Sequence, residues 1–206
     1  MLGSERRRLE LAYSLMFTLP GTPVLRYGDE LGMGDDLSLP ERECSRTPMQ
    51  WSTEPNGGFT KSEKPVIPVI SEGPYSFEHL NAAEQRRDPN SMLNWIERII
   101  RMRKEVPEVG WGDFEVLKLG TDSVLGIRYD WRNNSVLFLH NLAGEPCEIE
   151  FASGLKDERA GKLINLLGTD HSEAGRNGKH CVCLEGYGYR WYRCGGLDYL
   201  LNRTEF

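Results

Sequence analysis

The 206 residues contain no apolar run near the roughly 18–20 needed to cross a bilayer, so a membrane role is not expected. They also lack a basic excess. With 31 Asp+Glu against 25 Lys+Arg the formal net charge is -6. Phosphate backbones are bound by basic faces, so nucleic acid is not an expected partner either. The start, Met1 to Arg8, leads into an amphipathic stretch without a small-residue cleavage site, which argues against a secretory leader and for a cytoplasmic setting. No G-x-S-x-G, P-loop or G-x-G-x-x-G motif occurs, and no internal repeat or low-complexity tract is visible. What is present is apolar material sufficient for one core or two small ones, including five Trp, eight Tyr and seven Phe.

Cysteine and histidine are sparse. The five cysteines are Cys44, Cys147, Cys181, Cys183 and Cys194; the count is odd and no Cys-x-x-Cys occurs, so a disulfide framework is not expected. Cys181 and Cys183 would share one face of a strand, with His180 on the other. A metal would need two further ligands, and buried free thiols are the simpler reading. His79, His140, His171 and His180 show no ligand spacing. His140 sits among apolar strand residues and reads as a satisfied core or edge histidine. No metal and no cofactor is expected.

The chain changes character near residue 110. Ser4 to Leu19 reads as a helix capped by Ser4, with Leu11, Leu15, Met16 and Leu19 at helical spacing and Pro20-Gly21 as the stop. Thr22 to Tyr27 reads as a short strand entering Gly28-Asp29-Glu30. Residues 32 to 88 have little periodicity, and a loop of that length is usually functional or short of a partner. Asp88-Pro89 has the pattern of a helix start, with Asp as N-cap and Pro at the first helical position. Met92, Trp95, Ile96, Ile99 and Ile100 make its apolar stripe, Arg98, Arg101, Arg103 and Lys104 its wet face, and Pro107 its end.

Strands are then expected at Phe114–Leu119, Ser123–Trp131, Ser135–Asn141, Cys147–Phe151, Lys162–Leu167, His180–Glu185 and Tyr187–Cys194. Turn signals at Arg132-Asn133-Asn134 and Ala143-Gly144-Glu145-Pro146 separate neighbours at hairpin distances. Seven short strands in about eighty residues suggest an antiparallel sandwich. The first half is a helix–strand–loop–helix piece of α/β architecture, in which one parallel strand needs neighbours on both sides.

Several segments resemble the α-amylase superfamily, glycoside hydrolase family thirteen. Gly21-Thr22-Pro23-Val24-Leu25-Arg26-Tyr27-Gly28-Asp29-Glu30 is similar to the family's eighth barrel strand and the loop after it. Leu31-Gly32-Met33-Gly34-Asp35 resembles the trehalose synthase branch. Arg46-Thr47-Pro48-Met49-Gln50-Trp51, followed by Gly58-Phe59, resembles a segment shared by that branch and the oligo-glucosidases. Pro74-Tyr75 with Asn81, Glu84 and Gln85 resembles the branch's pre-helix motif. Gly186 to Tyr192 is similar to the last strand of the family's C-terminal domain.

The resemblance implies an α/β plus all-β fold: the C-terminal αβα portion of a (β/α)8 barrel over residues 1–109, followed by an antiparallel β-sandwich domain over 110–206. It also implies a retaining maltose-to-trehalose transglucosylation acting on an α-linked glucose disaccharide such as maltose or trehalose. The family's aspartate nucleophile, glutamate acid/base and second aspartate belong to the fourth, fifth and seventh barrel strands. Met1 aligns after the last of these and no Asn-His-Asp signature occurs, so none of the three is expected here. Retaining chemistry needs two carboxyls about 5–5.5 Å apart, and the chain alone is expected to be inactive. A complementing barrel chain is then an expected partner.

Among the residues present, the resemblance puts Arg46 on the non-reducing glucose of the innermost subsite, where a guanidinium fork can serve a carboxylate and sugar hydroxyls together. The plain alternative is an ion pair with Glu41 or Glu43. Tyr27, Gly28, Asp29 and Glu30 are implied loop framework; in extended backbone the two adjacent acids would point to opposite sides. Asp35-Asp36 reads as a solvated turn. Trp51, Phe59 and Tyr75 read equally as sugar-stacking groups or as pins for the loop. Tyr189 and Trp191 read as core or domain interface in preference to a starch-binding platform.

Two readings from other classes stand beside the enzyme fragment: a noncatalytic carbohydrate-binding or interaction module, and half of a split α-glucosidase. An unpaired strand near Val24–Tyr27 would expose backbone groups. The sandwich is accordingly expected to fold alone, with the region before residue 110 poorly ordered or sticky.

Overall fold

The computed structural model describes residues 5–196; the Ser4 cap lies outside the described residues. The chain divides into two compact units, one made of residues up to Pro23 together with those from Arg101 onward, the other Val24–Ile100.

In the first unit, helix α1 (Arg6–Thr18) starts after Glu5, whose side chain makes no capping bond. Short helix α4 (Glu108–Trp111) follows Pro107, so that proline opens a helix instead of closing one. Eight strands follow: β1 (Asp113–Val116), β2 (Val124–Trp131), β3 (Asn134–Asn141), β4 (Cys147–Phe151), β5 (Lys162–Asn165), β6 (Ser172–Glu173), β7 (His180–Leu184) and β8 (Tyr189–Cys194). They form an antiparallel six-stranded sheet in the order β1-β2-β3-β8-β5-β6 and a two-stranded sheet β4-β7. Each of the seven strands expected beyond residue 110 is present, most with shifts of one to three residues at their ends. The two-residue β6 was not anticipated; so short a strand carries no alternation to read.

The central strand β3 is buried on both faces, because the six-stranded sheet is the middle layer. On one face Val124, Leu137, Leu139, Leu163 and Tyr192 join Ile149, Phe151, Val182 and Leu184 of β4-β7 in the sandwich core. On the other, Tyr129, Phe138 and Trp191 pack edge to face, with centroids 6.0 and 5.2 Å apart, an arrangement aromatic quadrupoles favour. Trp191 is thus core, while Tyr189 is half-buried.

α1 docks against this second face through polar bonds. Trp191 Nε1 donates to Ser14 Oγ at 2.8 Å, Ser14 Oγ lies 2.9 Å from His140 Nε2, and Tyr129 donates its hydroxyl to the Thr18 carbonyl at 2.7 Å. Because Ser14 Oγ accepts from Trp191, its own proton is left for His140 Nε2. The neutral ring then carries its proton on Nδ1, where it has no partner among the described residues. Burial pushes the His140 pKa down to about 3. Nearby, Arg193 donates to Glu108 at 2.6 and 3.4 Å, and both side chains are 2% exposed.

In the second unit, the Thr22–Tyr27 segment, which runs into it from Pro23, is not a strand. Val24 is exposed, and an isolated strand has no ladder to join, so the sequence's β propensity goes unused. The 32–88 stretch contains helix α2 (Ala82–Arg87), which sequence periodicity did not reveal because six residues hold too few turns. Its N-cap is Asn81, which accepts from Glu84 N at 3.0 Å. Asp88 closes α2 as its C-cap instead of opening the next helix. Helix α3 (Met92–Lys104) begins after Ser91, whose hydroxyl accepts from Asn94 N at 3.2 Å. Met92, Trp95, Ile96 and Ile99 are its buried stripe; Ile100 and Arg103 are half-buried, so Arg103 is not on a wet face.

Candidate functional site

The functional residues expected from sequence all lie in Val24–Ile100. Tyr27-Gly28 turns the chain into a 3-10 turn, Asp29–Leu31, with Gly28 at φ +93°; a Cβ there would meet Met33 Sδ at 2.7 Å. The left-handed backbone is what calls for glycine here, since Met33 could swing aside. Asp29 and Glu30 therefore do not splay as in a strand. Asp29 accepts from Arg26 N at 2.8 Å and Glu30 from Gly28 N at 2.9 Å, so each carboxylate closes the turn that carries it. Arg26 Nε lies 3.4 Å from Asp29 and Arg26 Nη1 3.8 Å from Asp35. Asp36 caps its own turn: Ser38 donates hydroxyl and amide to it, which lowers the Asp36 pKa.

The turn reaches the second motif through one bond. Met49 N donates to the Tyr27 hydroxyl at 2.8 Å, bringing Tyr27–Glu30 and Arg46–Trp51 together. Leu31, Met49 and Ala82 share a small core beside Met33, Leu80 and Leu93. The remaining supports are amides that the sequence did not single out for this role. Gln85 donates to the Leu31 carbonyl at 2.8 Å and accepts from Leu93 N at 2.9 Å. Gln50, fully buried, donates to the Leu80 carbonyl, while its backbone carbonyl accepts from Ala82 N at 2.9 Å. Their only sequence signal is an amide inside a motif, which periodicity cannot weigh.

Arg46 caps the 3-10 turn Glu43–Ser45 and is exposed. It makes no ion pair with Glu41, Glu43 or any other described residue, so the plain alternative for it is not realised. Thr47 to Gln50, directly after it, are buried and anchor its backbone. Trp51 and Phe59 are 45% and 48% exposed. Tyr75 is different: a Cβ on Gly34 would stand 2.6 Å from its ring, so Tyr75 pins the loop there. Among the described residues the arrangement offers exposed guanidiniums without an ion pair, Arg46 among them, and the exposed rings of Tyr27, Trp51 and Phe59, beside backbone held by buried amides.

Cys194 is the buried cysteine; Cys181 and Cys183 are exposed, since β4-β7 turns that face outward, and Cys44 and Cys147 are intermediate. All five are free thiols. Among the described residues no group of three or more His, Cys, Asp or Glu could hold a metal ion, and no helix is long and apolar enough to cross a membrane.

Residues 1–112 match the family model for the alpha amylase catalytic domain. The chain belongs to the α-amylase family. Residues 134–193 match the sucrose hydrolase-like C-terminal domain. A trehalose synthase of Pimelobacter sp. (strain R48) is 32% identical over 204 residues, covering 96% of this chain and 35% of that protein. A trehalose synthase of Thermus thermophilus is 38% identical over 146 residues, 69% of this chain and 15% of that protein. Among solved structures, a trehalose-6-phosphate hydrolase of Bacillus licheniformis superposes with a TM-score of 0.72 at 22% identity, over 94% of this chain and 40% of that one.

This α-amylase family member therefore spans about a third or less of the curated trehalose synthases it matches. Its fold class is α/β plus all-β, the C-terminal αβα portion of a (β/α)8 barrel followed by an antiparallel β-sandwich. The segment that would be the barrel strand has no ladder within these residues.

Proposed function

We propose that these residues serve a trehalose synthase-like enzyme that interconverts maltose and trehalose with retention, in the cytoplasm. Residues 1–109 supply the end of its barrel and 110–206 its β-domain. The catalytic carboxylates lie outside these residues, on the rest of a longer chain or on a complementing barrel chain. One carboxylate attacks the anomeric carbon of the non-reducing glucose while an acid protonates the departing 4-oxygen, leaving a covalent glucosyl intermediate. The freed glucose then re-attacks through its anomeric hydroxyl, returning its proton to the same acid/base and releasing the nucleophile.

In this reading Arg46 binds the non-reducing glucose and Tyr27, Gly28, Asp29 and Glu30 hold the loop beside it. The observation that carries the reading is Arg46 itself: an exposed guanidinium without an ion-pair partner among the described residues, followed by buried neighbours, in a chain 32% identical to a trehalose synthase over 204 residues. A free fork on a fixed base suits sugar recognition.

The test is a chimera in which this chain replaces the matching segment of the Pimelobacter trehalose synthase. Trehalose should form from maltose, and Arg46→Lys should lower kcat/KM by about tenfold or more, the scale of one lost charge-assisted bond pair. A folded chimera that converts no maltose, or one indifferent to Arg46→Lys, would overturn the reading. The 206-residue chain alone should leave maltose unchanged.

A further inference from the structure

We propose that the β-domain unit carries a saccharide-binding site of its own: a cavity of about 310 Å³ lined by α1, the loop after β5 and the turn that carries the chain from β7 into β8, taking a neutral, hydroxyl-rich ligand of one or two sugar rings. Pockets for small molecules begin at roughly this volume.

The wall is rigid before any ligand arrives. Tyr187 has φ +58°, a left-handed backbone that a tyrosine adopts only when its surroundings impose it. They do so through two tight turns. Tyr187 N donates to the Ala143 carbonyl at 2.8 Å, and a Cβ on Gly186 would fall 1.9 Å from the Gly144 carbonyl oxygen. Arg8 stacks 4.7 Å from the Tyr187 ring centre and donates to its hydroxyl at 2.8 Å. Little side-chain entropy remains to be lost on binding.

The polar groups are equally fixed and their charges nearly cancel. Arg190 bridges Asp170 and Glu185, the latter at 3.1 Å, and Asn165 donates to Asp170. Glu10 accepts from Tyr189 at 3.3 Å and from Arg6 at 2.5 Å. Arg7 also lines the cavity. Two guanidiniums and three carboxylates line the cavity, with Arg6 and Arg8 engaged by Glu10 and Tyr187 beside it, a mixed balance that suits neither a phosphate nor a polycation. Carboxylates with spare lone pairs beside guanidinium donors match hydroxyls, which donate and accept at once. Tyr187, Tyr189 and Leu167, the last 36% exposed, supply apolar surface for the C–H face of a sugar ring.

The test is an amide-resolved NMR titration of the whole 206-residue chain with maltose, then with trehalose, then with inorganic phosphate. Saturable shifts are expected at Leu167–Asp170 and Gly186–Arg190 with a dissociation constant of about 1–10 mM. Phosphate should give none there. Tyr187→Ser and Asp170→Asn should each weaken sugar binding about fivefold or more, as loss of a contacting group does in a small site. The absence of saturable shifts up to about 100 mM sugar, too weak to count as a site, overturns the proposal even if a variant fails to fold. So do shifts that survive both substitutions, or phosphate binding in preference to sugar. A chimera that makes trehalose beside a cavity that binds nothing would leave the Arg46 reading intact, so the two fail separately.

Discussion

The two compact units are held by different means. In the β-domain unit, layered apolar strands surround a few polar groups that are almost wholly removed from water: His140, the Glu108–Arg193 pair, Ser14 and Thr18. In Val24–Ile100 regular structure is scarce, the shared core is small, and amide side chains tie together backbone far apart in sequence. A layered core makes stability collective, so one buried error is felt throughout the unit. A loop framework makes it local, so one error loosens one crossing. Arg46, exposed and without an ion-pair partner among the described residues, sits in the second kind of structure, where a side chain can be spent on a ligand without unsettling a core.

The sharpest way to break this contrast is at the buried ion pair. Glu108→Gln takes the carboxylate away from Arg193 in a nearly dry site and should cost about 3–5 kcal/mol, the usual penalty for breaking a buried ion pair. Urea unfolding should show a lower midpoint for the β-domain unit. The double substitution Glu108→Leu with Arg193→Met should recover most of the loss, because it removes the stranded charge as well. A double variant as unstable as the single one would show that shape, and not charge, decides this site.

His140 offers the next largest effect, read through pH. Its folded pKa of about 3 lies below the ordinary value near 6.5. The unfolded chain therefore binds a proton that the folded one refuses. The stabilisation is complete above pH 6.5 and is lost as pH falls from there toward 3. Each unit in that window costs about 1.4 kcal/mol, so a drop from pH 6.5 to 5 should cost about 2 kcal/mol. Burial also lowers the His180 pKa, so His180 contributes in the same direction. Asp170 and Glu185, with lowered pKa values, lose their stabilisation only at lower pH. The His140 share is the difference between the parent chain and His140→Gln across pH 6.5 to 5; equal slopes would refute it.

The β-domain was legible because β4 and β7 alternate buried with exposed residues, β2, β3 and β8 are apolar enough to be buried over most of their length, and their turns carry Asn, Gly and Pro. The docking of α1 on that sheet was not legible: Ser14 and Trp191 are 177 residues apart, and neither type announces the other. In Val24–Ile100 the motifs marked the right places, but their supports were hidden. Gln85 meets Leu31 across 54 residues, and Tyr27 meets Met49 N across 22. Helix boundaries failed for a related reason. Asp88-Pro89 has the local chemistry of a helix start, yet Asn81 and Ser91 hold the caps, because α2 ends at Arg87 and the chain must turn before α3.

Gln85 sharpens the contrast at smaller scale. Gln85→Ala strands the Leu31 carbonyl and the Leu93 amide in a half-buried crossing and should cost about 1–2 kcal/mol. The loss should stay local. Hydrogen exchange should quicken at Leu31, Leu93 and their neighbours, while Leu137 and Leu139 in β3 keep their protection. Equal acceleration in both units would mean that they unfold as one, and the distinction between collective and local stability would fail.

The smallest expected change in stability belongs to Arg46. The side chain is exposed and has no ion-pair partner among the described residues, so Arg46→Ala should alter the unfolding free energy by less than about 0.5 kcal/mol, the range for unpaired surface positions. If Arg46 binds sugar as proposed, the same substitution in the chimeric enzyme should cost far more in kcat/KM than in stability, because a planar fork on a fixed backbone is lost. Arg46→Lys separates charge from shape: a lysine keeps the charge but cannot donate in a fork, so it should also leave stability alone while failing to restore activity. If Arg46→Ala instead destabilised Val24–Ile100 by 1 kcal/mol or more, roughly the value of a structural hydrogen bond, the arginine would belong to the framework. Gln85 and Arg46 would then differ in degree and not in kind.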